Sequence, residues 1–233
     1  MKKYYRIAGL TVEMESFGRT VVQAEPYAID PPLCVDIQID GCTKEFRERH
    51  PEVNEETCEY LYSGGSFYKQ LINFGGLMIH SSAVVVDGIA YLFTAPCGTG
   101  KSTHTSLYLK EFGERAFVLN DDKPALRWEN DAFYAYGTPW SGKHAINVNV
   151  RVPVGGICLL SRGESNEITR IYGKKALLGI YAQTLRPRSE KYAEKLLPLL
   201  EKLLETVPMW ELQCNMDPEA AHVSFDAMSN LNK

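Results

Sequence analysis

The sequence predicts an α/β fold with a mixed β-sheet core, a small β-rich N-terminal portion and a helical C-terminus. Three observations predict it. An apolar run at 89–93 passes into Ala95-Pro96-Cys97-Gly98-Thr99-Gly100-Lys101-Ser102, and a helix-compatible stretch at 103–112 follows; this is strand, glycine-rich loop and helix in succession. Short alternating or β-branched runs, separated by turn residues, fill most of the chain up to about residue 160. From about Lys174 onward, apolar residues recur at three- and four-residue spacing, the period of a helix face.

In chain order, 5–12 and 33–39 alternate as strands. Gly64 and Gly65 punctuate the chain ahead of a short helix at 67–74. The β-rich run at 78–86 closes on Asp87-Gly88, a hairpin-turn dipeptide, and the strand at 89–93 pairs back on it. After the loop's helix, 117–119 reads as a buried strand. Strands at 125–128, 133–136 and 156–160 come next, with Glu129-Asn130-Asp131 turning between the first two. Helices at 176–185, 190–206 and 218–231 complete the chain. The expected organisation is a β-rich portion over 1–76 packed on a core domain over 77–233. There is no internal repeat and no low-complexity linker.

Composition narrows the function classes. The chain has 233 residues, 45% hydrophobic and 23% charged, as an ordinary globular protein does. A formal net charge of −4 argues against a nucleic-acid partner, which calls for a basic face. No apolar run reaches the roughly 18 residues of a membrane span, and the start, Met1-Lys2-Lys3-Tyr4-Tyr5-Arg6, lacks a signal peptide's apolar segment. The expectation is a cytoplasmic protein with no membrane partner. Its six cysteines are scattered without a C-x-x-C pair, which fits a reduced compartment better than a disulfide scaffold or a zinc site.

The glycine-rich loop carries the first chemistry. Glycines let backbone N–H groups crowd round a polyphosphate, and a helix N-terminus adds a favourable dipole. Pro96, Cys97, Gly98, Thr99, Gly100, Lys101, Ser102 and Thr103 are the candidate nucleotide-binding residues. Lys101 would reach the terminal phosphates and Ser102 would hold Mg²⁺. Ala95 stands where the usual G-x-x-x-x-G-K-[ST] pattern has its first glycine. The second feature is Asn120-Asp121-Asp122, at the end of an apolar strand. Adjacent residues at a strand end point in different directions, so one aspartate can bind metal while the other faces an incoming hydroxyl as a base. The bland alternative is a solvated Asp-Asp turn. The third feature is His80, in His80-Ser81-Ser82-Ala83-Val84, just ahead of a strand.

Together these runs resemble the kinase domain shared by HPr kinase/phosphorylase and phosphoenolpyruvate carboxykinase. The resemblance covers about residues 78–128. The loop is similar to the carboxykinase's Ser-Gly-Thr-Gly-Lys-Thr-Thr, with Cys97 in place of its serine, and a His-x-Ser-Ala run precedes the loop there too. The chain is far shorter than a carboxykinase and lacks the glycine-rich stretch that follows the HPr kinase core. The resemblance implies a P-loop fold like the C-terminal domain of those enzymes. It also implies that Lys101 neutralises the β- and γ-phosphates, that Ser102 binds Mg²⁺, and that Asp121 and Asp122 share the metal and base roles. His80 would sit near the γ-phosphate or a second metal ion.

Further cations are candidates. Lys143 lies in the loop Gly137-Thr138-Pro139-Trp140-Ser141-Gly142-Lys143-His144, where Trp140 supplies a rigid wall. A second cation near the transferred group stabilises developing charge. Arg162 follows a strand and is a candidate for the same role. Arg186 and Arg188 are candidates for an anionic substrate group. The expected activity is an ATP- and Mg²⁺-dependent phosphotransfer to a hydroxyl, such as a serine of a peptide, protein or small molecule. The alternatives are phosphoserine phosphorolysis and an ATP-sensing module without turnover. Partners are the nucleotide and the hydroxyl-bearing substrate, with a homo-oligomer left open.

Overall fold

A computed structural model describes residues 2–185 and 189–230. Arg186 and Arg188 therefore lie outside the described residues, as does the Leu231 end of the last expected helix.

The N-terminal portion is more structured than its sequence suggests. What reads as one strand at 5–12 is a hairpin, β1 (Lys3–Ile7) and β2 (Leu10–Met14). Ala8 and Gly9 turn it, both at positive φ, as a two-residue hairpin connection requires. Helix α1 (Gly18–Ala24) and a two-residue strand β3 (Ala28–Ile29) follow. Only Ile37–Ile39 of the expected 33–39 strand pairs, as β4. The sheet order is β3-β1-β2-β4. A short α2 (Lys44–Glu48) precedes α3 (Glu55–Leu71).

Helix α3 corrects the expected break at Gly64-Gly65. It runs 17 residues straight through both glycines and is capped by Asn54, whose side chain accepts from Thr57 N. Gly64 is there for space. A Cβ at that position would meet the Trp140 ring at 2.8 Å. Trp140 is fully buried, stacks on Phe67 at 4.9 Å and donates from Nε1 to Ser63 Oγ at 3.1 Å. Gly64→Val is expected to destabilise the fold by about 1–3 kcal/mol, the usual cost of overpacking a filled core. A denaturant midpoint equal to wild type would show that the indole simply moves aside.

Helix α3 also faces α1 through a buried carboxyl. Glu59 is 1% exposed and accepts from Thr20 Oγ1 at 2.5 Å. Burial pushes its pKa up from 4.5 to about 7, although the Thr20 hydrogen bond opposes the rise. The folded state therefore holds a proton that the unfolded chain releases, and stability falls as pH climbs from about 4.5 to about 7. Glu59→Gln is expected to remove that loss. Its gain in melting temperature over wild type should be larger at pH 8 than at pH 5, and an equal gain at both would refute the assignment.

The main sheet has nine strands among the described residues. They are β5 (Gly76–Met78), β6 (Ser81–Val86), β7 (Ile89–Thr94), β8 (Ala116–Asn120), β9 (Ala125–Glu129), β10 (Ala132–Tyr136), β11 (Arg151–Arg162), β12 (Glu167–Arg170) and β13 (Met209–Cys214). The order is β5-β9-β10-β11-β7-β6-β8, with β13 on the far part of β11 and β12 beside β13. The sheet is mixed: β11 runs parallel to β7 and β13 and antiparallel to β10. The expected β6–β7 hairpin is present, turned by Asp87 and Gly88 at positive φ. The expected run at 78–86 is two strands, because Ile79 bridges to Thr184 and His80 donates its N–H to Gln183 O at 2.8 Å. The expected 117–119 strand is β8, though Phe117 is partly exposed.

Helices cover both faces. Helix α4 (Lys101–Phe112) and α7 (Glu219–Ser229) pack on the face that carries Val84, Val86, Tyr91 and Phe93. Helices α5 (Gly173–Tyr181) and α6 (Glu190–Thr206) pack on the face that carries Ala83, Val85, Ala90 and Leu92. Alternate residues of one strand thus feed two cores. The helical C-terminus also holds a strand, β13, in the stretch between α6 and α7.

Candidate functional site

The glycine-rich loop lies between the end of β7 and the start of α4, as a strand–loop–helix unit. Gly98 and Gly100 hold φ of 77° and 124°, conformations that an L side chain rarely adopts. A Cβ at either would find open space within 4 Å. Gly100 caps α4 without a side-chain hydrogen bond, and the first turn holds no acidic residue. The helix start is thus a row of N–H groups that no capping side chain satisfies, facing an uncrowded loop. Thr99 holds the loop's shape, donating from Oγ1 to Pro96 O at 2.9 Å. Arg162 reaches across from β11 and donates from Nε to Thr99 O at 3.1 Å and from Nη2 to Gly98 O at 2.5 Å. Its guanidinium braces the loop from outside.

Lys101 is 9% exposed and donates from Nζ to Ala95 O at 2.9 Å. Burial lowers its pKa; the charges of Asp122, Cys97 and Asp121 oppose that shift, Asp122 most strongly. Ser102 and Thr103 are exposed at the helix start. Cys97 is exposed on the loop, and all six cysteines are free. A cavity of about 440 Å³ opens beside the loop, lined by Gly98, Gly100, Thr103, Leu107, Arg162 and Met216 among others. That volume falls in the range of ligand pockets.

The two aspartates point apart, as a strand end dictates. Asp121 is 8% exposed and accepts from Ser82 Oγ at 2.7 Å. With its own proton on Asp121, Ser82 accepts from Thr105 Oγ1 at 2.9 Å. A hydrogen-bonded chain, Thr105 to Ser82 to Asp121, therefore ties Asp121 to α4. Asp122 faces the other way. Its Oδ1 lies 3.1 Å from His80 Nε2, and its Oδ2 pairs with Lys123 Nζ. Burial would raise the Asp122 pKa, but the His80 hydrogen bond and the Lys123 charge outweigh it and hold the carboxyl below its ordinary value. Asn120 shapes the turn: its Oδ1 accepts from the backbone N–H of Asp122 at 3.0 Å and of Lys123 at 2.7 Å.

The loop after β10 closes on Asp122. Gly142, at φ 77°, sits so near that a Cβ there would lie 3.1 Å from the Asp122 Cβ. Its N–H donates to Tyr60 Oη at 2.9 Å, and Ser141 Oγ donates to Gln23 Oε1 at 3.3 Å. Tyr27 Oη donates to Asn147 Oδ1 at 2.7 Å. Residues of the N-terminal portion therefore pin this loop in place. Trp140 forms no open wall, since α3 buries it. Lys143 is exposed beside Gly142.

Sequence reasoning singled out Lys101, Asp121, Asp122 and His80, and the fold gathers them at neighbouring strand ends and the loop. It missed Ser82, Thr105, Asn120 and Tyr60. Ser82 had a signal: it is a polar residue on the strand face that continues as Val84 and Val86. Tyr60 had none, because its partner Gly142 is distant in sequence.

Among the described residues no three of His, Cys, Asp and Glu are gathered as a metal cage. A hydrated Mg²⁺ held mainly by phosphate oxygens needs only one or two protein ligands, fewer than such a cage holds. No described helix is long and apolar enough to cross a membrane.

No protein-family model matches the chain, and no curated protein matches it. Among solved structures, the HPr(Ser) kinase/phosphatase from Coxiella burnetii is similar to it at a TM-score of 0.41 and 14% identity, over 67% of this chain and 99% of that one. That likeness is a distant one, and no residue takes a role from it.

Proposed function

We propose that this chain is an ATP- and Mg²⁺-dependent phosphotransferase that moves the γ-phosphoryl group to a hydroxyl, with serine the first acceptor to try. The observation that carries the reading is the pairing of an uncapped, open glycine loop and its lysine with two aspartates aimed in different directions. Mg²⁺, which Ser102 and Asp121 would hold, would neutralise charge on the phosphates.

The chain's own groups divide the remaining work. The N–H groups at the start of α4 cradle the phosphates, and Lys101 leaves Ala95 O to meet them. Asp121, tied through Ser82 and Thr105 to the same helix, stands on the metal side with Ser102. Asp122 stays ionised through His80 and Lys123 and accepts the proton of the incoming hydroxyl. Lys143 and Arg162 remain candidate charge stabilisers. Arg162 acts first by bracing the loop. Transfer then rests on positioning and charge, because a loose phosphoryl transition state asks little covalent chemistry of the protein.

The test is incubation with MgATP and a panel of serine, threonine and sugar hydroxyls, following phosphate transfer and ADP release. Transfer to a hydroxyl supports the reading. Tight MgATP binding with no turnover on any acceptor would favour a sensor, and phosphate-dependent release from phosphoserine would favour the reverse reaction.

A further inference from the structure

The acceptor side of Asp122 carries a second arrangement, built largely from residues 1–76. Arg19 on α1 lays its guanidinium carbon 3.8 Å from the centroid of the Tyr60 ring. Lys123 Nζ lies 5.7 Å from the centroid of the same ring. Tyr60 Oη holds Gly142 N–H, Gly142 abuts Asp122, and Lys123 pairs with Asp122. Two cations and the acceptor-facing carboxylate are thus grouped around one ring.

This grouping is incompletely satisfied. Arg19 Nε is buried without a hydrogen-bond partner. Glu56 accepts from the Arg19 backbone N–H, and Glu59 accepts from Thr20 through Oε2 while its Oε1 is also buried without a partner, so neither carboxylate hydrogen-bonds Arg19 Nε. A buried guanidinium N–H without an acceptor is costly until one arrives. The planar fork of arginine matches the two oxygens of a carboxylate or phosphate, and stacking on Tyr60 fixes its plane.

We infer that the acceptor carries an anionic group, a carboxylate or a phosphate, which Arg19 and Lys123 hold beside Tyr60, a few bonds from the hydroxyl presented to Asp122. The inference rests on the phosphotransferase reading and adds the chemical class of its substrate. It also gives residues 1–76 a role, since their helices select the acceptor while the strand–loop–helix unit handles the nucleotide. Binding the anion draws Lys123 partly away from Asp122, which frees that carboxylate for the hydroxyl.

The test loads the protein with saturating Mg²⁺ and the non-hydrolysable analogue AMP-PNP, so that the phosphate loop is filled. Inorganic phosphate and, separately, glycerate are then titrated by calorimetry into wild type, Arg19→Gln and Arg19→Lys. At least one anion should bind loaded wild type, bind tenfold or more weakly to Arg19→Gln, and regain part of that loss in Arg19→Lys. AMP-PNP affinity should be equal in all three. Preference for phosphate or for glycerate tells which anion the acceptor bears. Binding of neither anion to the loaded wild type, or equal binding by Arg19→Gln, overturns the inference and leaves the nucleotide reading standing. Failure of AMP-PNP to bind wild type overturns the phosphotransferase reading, and this inference falls with it.

Discussion

Lys101→Ala is expected to cut MgATP affinity on the order of 10²-fold or more and to abolish transfer, without unfolding the protein. The lysine is 9% exposed, and burial already works against its charge. Its hydrogen bond to Ala95 O is a modest one to lose, worth about 1 kcal/mol. The fold therefore gives up little. A phosphate loses a charge-assisted donor, and removing one such donor from an electrostatic site costs about 2.7–4 kcal/mol. Fluorescent ATP-analogue binding alongside far-UV circular dichroism separates the two effects. Wild-type affinity in a folded mutant would remove the loop from the mechanism.

Asp122→Asn and Asp121→Asn are expected to part ways. Asparagine keeps the shape of either side chain but cannot take a proton. At Asp122 the substitution should slow single-turnover transfer by roughly 10²- to 10⁴-fold at saturating MgATP, with nucleotide affinity near wild type. At Asp121 the amide still accepts from Ser82 Oγ, so the fold holds, while Mg²⁺-dependent nucleotide binding weakens. The division follows from orientation: Asp121 is tied toward α4, and Asp122 opens toward His80, Lys123 and Gly142. The opposite pattern would exchange the two roles. Normal turnover in both mutants would reduce Asn120-Asp121-Asp122 to a shaped turn.

The elements that could be read from sequence are those whose signals are local. The β6–β7 hairpin announces itself through Asp87-Gly88, and the loop through its glycines and the helix behind them. Helix α6 shows Leu196, Leu200 and Leu203 on one stripe, with Ser189 capping its start. What could not be read depends on partners far along the chain. Gly64 looked like a breaker because the indole that needs its missing side chain lies at Trp140. Strand β13 lies in the unassigned stretch between two expected helices, because its parallel neighbour, β11, precedes it by two helices. The same rule divides the site. Lys101, Asp121 and Asp122 carry their meaning in short runs, whereas Arg19 and Tyr60 gain theirs only when α1 and α3 meet the loop after β10.

The long strand β11 also has a consequence for how the chain reaches this fold. The β6–β7 hairpin is local and can close within microseconds. Its next neighbour is β11, which docks in register with Ile157 beside Leu92, and β13 then adds Met209 beside Ile157. Both pairings are parallel and close large stretches of chain, so their entropy must be lost before their contacts reward it. The floor beneath the glycine loop is therefore a late event. Until β11 arrives, β7 presents an unpaired apolar edge, Ala90-Tyr91-Leu92-Phe93, to any strand that will pair with it. A nascent or refolding chain is most exposed to self-association in that interval, and low protein concentration during refolding protects the hairpin that leads into the glycine loop.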